Sequence, residues 1–204
     1  MPRSGRFRQG PTSCSLIPPD EILYFEADAR YTRVVLRDLC FPNGLALTAS
    51  ERHLLLSETG AYRILRVAVN LDGLSAPQAI GLPGDVAKVL IDNLPGFPDN
   101  LMRGEGGRIW VGLTKPRSGI IDFAARHPWM RALTLRLPKV LWPVPPAYGH
   151  VFAFDETGKV LVDLQDPEGG YPETTAVTEA GGRLYIQSLN ARSIGWVTKQ
   201  AAGL

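Results

Sequence analysis

One pattern recurs three times along this 204-residue chain and restricts its fold more than any other feature. PNGLALTASERHLLLSET (42–59) reads as a turn, a short apolar strand, a polar turn and a second apolar strand. PDNLMRGEGGRIWVGLTK (98–115) repeats that grammar, with Gly106-Gly107 in the turn. TTAVTEAGGRLYIQSLN (174–190) repeats it again and shares with the second copy a Gly-Gly-Arg followed by an aliphatic and an aromatic residue. Recurring units of several short strands predict an all-β fold of the β-propeller type, whose blades are four-stranded antiparallel sheets. The 21 glycines and 17 prolines agree. Such heavy punctuation suits short strands joined by turns and argues against a helical bundle.

Strands are expected at 43–47, 53–57, 62–69 and 87–94 in one unit, and at 100–103, 108–113, 149–155 and 159–165 in the next. A third unit supplies 175–178, 183–188 and 193–197. EILYFEAD (21–28) and TRVVLRDL (32–39) form a hairpin ahead of them. The sum is two whole blades and two partial ones, about three blades' worth of strands, whereas propellers close with about 4–8 blades. The chain therefore reads as part of a ring, with strand edges available for self-association. Residues 1–20 have no periodicity and read as a disordered leader, so the propeller domain runs over 21–204. An insertion at about 114–146 breaks the second unit. Within it, GIIDFAARHPWMRALTLRLP (119–138) sets Trp129, Met130, Leu133 and Leu137 on a helical stripe with Arg126, Arg131 and Arg136 interleaved. Packing onto the propeller is the plainest role for that stripe. A lid over an apolar substrate pocket is compatible with it, and docking on a lipid surface is a weaker alternative.

Composition closes off several classes. At 45% hydrophobic and 21% charged, the chain is ordinary globular material. A net charge of +2 is too balanced for a nucleic-acid surface. No apolar run approaches the ~20 residues of a membrane span. The basic start MPRSGRFRQGPTSCS lacks the apolar stretch of a signal peptide, though this leaves the compartment open. Cys14 and Cys40 fall short of a disulfide framework or a zinc site.

Longer strings narrow the fold to a family. FPNGLALT (41–48), LLLSETGAYRILRV (54–67), DNLPGFPDNL (92–101), GGRIWVGL (106–113) and GGRLYIQSL (181–189) resemble the strictosidine-synthase-like propellers, in the branch that contains adipocyte plasma-membrane-associated protein. The resemblance extends through RHPWMRALTLRLP (126–138) and YGHVFAFDETGKVL (148–161) and covers roughly residues 21–197. It implies a six-bladed ring, of which this chain resembles the C-terminal half. It also places the chain in a superfamily with paraoxonase-type arylesterases and gluconolactonase-like lactonases, whose members commonly hold calcium in the central tunnel.

Pro42-Asn43-Gly44 and Pro98-Asp99-Asn100 each open the innermost strand of a blade. Asn and Asp offer the hard oxygen donors that Ca²⁺ selects. Both strings also suit plain turns, because Asn, Asp and Gly tolerate unusual backbone angles. By resemblance, Asn43, Asp99 and Asn100 are calcium ligands, and a Glu and another Asn would come from blades outside this chain. The function so implied is calcium-dependent hydrolysis of a small ester or lactone. A non-catalytic binding scaffold, membrane-associated or not, is the alternative, and an inactive fragment is a third.

Catalytic residues are not assigned. The amine–aldehyde condensation of the family's namesake needs a Glu where this chain has Thr175, so that reaction is disfavoured. Glu173 and Glu179 are weak substitutes. Glu58 either faces the tunnel or pairs with Arg63 or Arg66. His53, in a polar turn, and His127, before Pro128, read as solvated, and His150 as a satisfied surface histidine. Ser57 and Ser188 lack the surroundings of a nucleophile elbow. Trp110 and Tyr185 read as packing between blades.

Overall fold

The computed structural model describes residues 22–25, 32–119 and 146–204, with residues 123, 127, 129, 136 and 138 in between. Its strands fall into four sheets. The first joins β1 (Ile22–Phe25), β2 (Thr32–Arg37) and the short β6 (Leu74–Ser75). The second is β3 (Pro42–Leu47), β4 (His53–Glu58), β5 (Arg63–Ala68) and β7 (Ala87–Ile91), in that order. The third orders β8 (Gly96–Arg103), β9 (Ile109–Pro116), β10 (Gly149–Phe154) and β11 (Val160–Asp166) in the same way, and the fourth holds β12 (Thr174–Ala180), β13 (Arg183–Ser188) and β14 (Gly195–Thr198). Within the last three sheets every neighbouring pair is antiparallel. These are propeller blades, laid down one after another from the inner strand outwards.

Burial follows position in the blade. In β4 the LLL run is sandwiched between sheets, and every residue of β10 is buried. Strands covered on both faces read as continuous apolar text rather than alternation. Three cores form, one at each boundary between successive sheets. Leu36, Leu56 and Leu65 anchor the first, Leu55, Ile64, Ile109 and Phe154 the second, and Trp110, Val177 and Leu184 the third.

Between β5 and β7 the structure adds two elements absent from the strand pattern. One is β6, and the other is α1 (Ala76–Ile80), opened by a reciprocal bond set between Ser75 and Gln78 with proline in the first turn. Cys40, just ahead of β3, is disulfide-bonded. Beyond β9, Gly119, Phe123, Trp129 and Arg136 lie in helical backbone. Trp129 is largely exposed. Met130, Leu133 and Leu137 lie outside the described residues. Among the described residues no helix is long and apolar enough to cross a membrane.

Candidate functional site

The three inner strands share an irregularity at one place. On β3, Pro42 opposes Glu58 and Leu45 opposes Leu56, so one extra residue is accommodated at Asn43-Gly44. On β8, Pro98 opposes Leu113 and Leu101 opposes Val111, which puts the extra residue at Asp99-Asn100. On β12, Thr174 opposes Ser188 and Ala176 opposes Gln187, so Thr175 is the surplus one. A bulge breaks the period-2 alternation and re-aims side chains. Asn43, Asp99, Asn100 and Thr175 thus occupy equivalent, redirected positions on successive blades.

β3 and β8 meet closely here. A Cβ on Gly44 would lie 2.4 Å from both the Asp99 carbonyl oxygen and the Leu101 amide nitrogen, so only glycine permits this approach. The approach places the Asn43 amide beside the Asp99 carboxyl, close enough to favour its charged form. The pair offers an amide oxygen and the carboxylate oxygens as hard donors. Asn43 is exposed, Asn100 half-buried and Asp99 only 8% exposed. Burial pushes the Asp99 carboxyl above the usual carboxylate range, and the Asn43 amide offsets only part of that. Among the described residues no cationic side chain pairs with it. Burial of this kind favours the neutral, protonated carboxyl unless a cation balances the charge. Among the described residues no three His, Cys, Asp or Glu side chains gather, so the oxygens on offer at this place are one carboxylate and neighbouring amides, hard donors of the kind calcium takes.

Three residues behind this pair carried no site assignment in the sequence. Ser57, Glu58 and Thr59 are all buried. The Ser57 hydroxyl accepts from the Gly44 amide at 2.6 Å and donates to the Asp99 carbonyl. Thr59 donates to the Pro98 carbonyl at 2.5 Å. Glu58 turns the other way, accepting from the Cys40 amide and from Arg63 Nε, each at 2.5 Å. The readable signal was a polar triplet closing an otherwise apolar strand.

The remaining candidates resolve individually. Glu179 accepts from Arg108, Trp110 and Lys199, and the Arg108 guanidinium above all holds its carboxyl well below the usual range. Such a group carries no proton to donate. Glu173 pairs with Lys115 and Asn190. Thr174 donates to the His150 carbonyl at 2.7 Å, while Thr175 is buried beside it with no acid function. Two histidine expectations are corrected. His53 is buried, its Nδ1 accepting from Arg66 at 3.0 Å and its Nε2 lying 2.9 Å from the Asp85 carbonyl. His150 is buried against Asp163, 2.7 Å away. Each polar group found a local partner that let it be covered. His127 is half-buried, with Nδ1 2.9 Å from the Phe123 carbonyl. Trp110 is fully buried between blades, Tyr185 half-buried, and the Ser188 hydroxyl caps the Pro172 carbonyl at 2.6 Å.

Residues 19–72 match the family described as Strictosidine synthase. Human adipocyte plasma membrane-associated protein is 30% identical over 187 residues, covering 88% of this chain and 42% of the relative. Protein STRICTOSIDINE SYNTHASE-LIKE 13 of Arabidopsis thaliana is 31% identical, over 72% of this chain and 35% of its own length. This chain is a strictosidine-synthase-like propeller. It spans about two fifths of the length of the adipocyte plasma membrane-associated proteins it matches. Among solved structures, the WD40 β-propeller domain of Doa1 superposes at a TM-score of 0.53 with 12% identity, over 88% of this chain and 45% of that one. A luciferin-regenerating enzyme gives 0.52 with 17% identity, over 84% and 45%. At such low identity these likenesses speak for the fold alone.

Proposed function

We propose that this propeller holds one divalent cation of the calcium type at Asn43 and Asp99, and that the site serves hydrolysis of a small ester or lactone. The observation that carries this reading is Asp99: a buried carboxylate on a bulged inner strand, set beside a neutral amide and lacking a cationic partner among the described residues. Asn100, next on the same bulge, supplies a further hard donor, and the strictosidine-synthase-like resemblance supports the same assignment.

Each residue then has a physical task. Asp99 contributes the one negative charge, concentrated by burial. The Asn43 amide orients that carboxylate and offers its own carbonyl oxygen beside it. A cation held largely by neutral oxygens supplies Lewis acidity for polarising an ester or lactone carbonyl. Leu45 and Leu47, exposed on the Asn43 side of β3, present apolar surface next to the site. Neither Glu58 nor Glu179 acts as the base, because both carboxylates are already bonded to arginine. Trp129, Met130, Leu133 and Leu137 of the insertion remain the proposed pocket cover.

The test is hydrolysis of phenyl acetate and of a simple lactone, with calcium and with chelator, by the wild type and Asp99→Asn. Turnover that needs calcium and vanishes in Asp99→Asn supports the proposal. Turnover unchanged in Asp99→Asn overturns it. Calcium binding without turnover of either ester type turns the reading to a binding scaffold.

A further inference from the structure

We infer that Ser57 and Thr59 are positioning residues for the cation site: their hydroxyls set the backbone from which Asn43 and Asp99 project. The inference rests on the cation reading above. Three polar residues follow the apolar run of β4, Ser57 and Glu58 at its end and Thr59 just beyond it, and Ser57 and Thr59 both reach towards β8. Ser57 bonds a group inside each of the two bulges, the Gly44 amide on β3 and the Asp99 carbonyl on β8. Thr59 bonds the preceding carbonyl, that of Pro98. Two successive carbonyls of β8 are thus gripped from the end of β4 and the turn after it, across the boundary between two blades, by residues 42 and 39 positions away.

The physical need is specific. A bulge disturbs the ladder that would otherwise fix its geometry. A serine hydroxyl, with one donor and two acceptor sites, can tie both sides of such a seam at once. Ser57 is fully buried, so water does not compete for these bonds. Glu58, between the two hydroxyls, secures the segment leading into β3 through the Cys40 amide. Asn43 and Asp99 therefore meet because both strands are tied to one short stretch of β4.

The neighbouring seam is tied differently. Counting from the paired Val111 and Leu101, Gly112 takes the place that Ser57 holds relative to Leu56 and Leu45. There the backbone of Thr174–Thr175 lies directly against the glycine, with no hydroxyl between. Thr114, the counterpart of Thr59, bonds the Phe97 carbonyl of its own sheet at 3.4 Å. A grip by hydroxyls from the end of the second strand is thus found at the Asn43–Asp99 seam and not at the next one, where the Thr174 hydroxyl on β12 bonds the Leu113 and His150 carbonyls instead.

The experiment is calcium titration calorimetry on the full chain, paired with calcium-free thermal unfolding, for wild type, Ser57→Ala, Thr59→Val and Thr59→Ser. Ser57→Ala and Thr59→Val should weaken calcium binding by about ten- to a hundredfold, the range seen when outer partners of metal ligands are removed. Thr59→Ser, which keeps the hydroxyl, should restore affinity, whereas a role in packing alone would leave affinity unmoved by loss of the hydroxyl. Folded variants that bind calcium as the wild type does overturn the positioning role and leave the cation reading standing. A wild type that binds no calcium overturns both. If Ser57→Ala fails to fold, the near-isosteric Thr59 pair decides.

Discussion

Arg108, just ahead of β9, and Glu179 on β12 are joined by two parallel hydrogen bonds, Nε to Oε1 at 2.8 Å and Nη2 to Oε2 at 2.9 Å. The pair spans two blades, and the Glu179 carboxylate also accepts from Trp110 Nε1 at 2.6 Å and from Lys199 at 2.9 Å. A carboxylate almost sealed from solvent is here satisfied from three sides, which is the condition under which a buried charge can be kept.

Acid should release this clamp. The Arg108 guanidinium first, then Trp110 and Lys199, depress the native Glu179 pKa. Its stabilising contribution is therefore complete above the unfolded carboxylate value of about 4.3 and is lost as pH falls through the native one. Glu179→Gln should cost about 3–5 kcal/mol at neutral pH by urea unfolding, because Arg108 and Lys199 lose their shared counter-charge. The variant should also show a flatter loss of stability below pH 4 than the wild type.

Gly44→Ala should be destabilising by about 1–3 kcal/mol, as for other overpacked sites. The new Cβ meets backbone atoms of Asp99 and Leu101 rather than a side chain that could rotate away. Urea unfolding measures the loss, and the same variant should lose calcium-dependent stabilisation because β3 is pushed off β8.

Asp99→Asn should separate stability from ligand binding. Without calcium the variant should be more stable than the wild type by on the order of 1 kcal/mol, since a desolvated charge has been removed. With calcium the wild type should gain stability, by about 2.7 kcal/mol at a hundred times its dissociation constant, and the variant nothing. Thermal unfolding with and without calcium reads both effects.

Trp110→Ala should cost about 3–5 kcal/mol, the usual range for deleting a large buried aromatic. Trp110→Phe keeps most of the packing but removes the indole N–H bond to Glu179, and should cost less. Urea unfolding of the two variants separates packing from the polar bond.

Much of the blade architecture was legible in advance. The strands expected at 43–47, 53–57, 108–113, 149–155 and 183–188 overlap β3, β4, β9, β10 and β13. Their period and the Gly-Gly turns are local properties, readable without knowing what packs against them. The eighteen residues between β5 and β7 were less transparent, because a two-residue strand and a single-turn helix leave too short a pattern to register. His53 and His150 were misplaced for a different reason. A histidine in polar text looks solvated until its partners, Arg66 with the Asp85 carbonyl and Asp163, arrive from other strands and cover it.

The order of strands, the turn positions and the presence of oxygen donors at Asn43, Asp99 and Asn100 were written locally, in residue type and spacing. That Asn43 reaches Asp99, that Asp99 is buried without a cationic partner among the described residues, and that Ser57 and Thr59 tie the seam were decided only when blades packed. Each depends on an approach between segments about forty or more residues apart, set by one glycine that lets two backbones touch. Linear text can specify a donor, but its depth and its partners are fixed by what the folded chain lays against it.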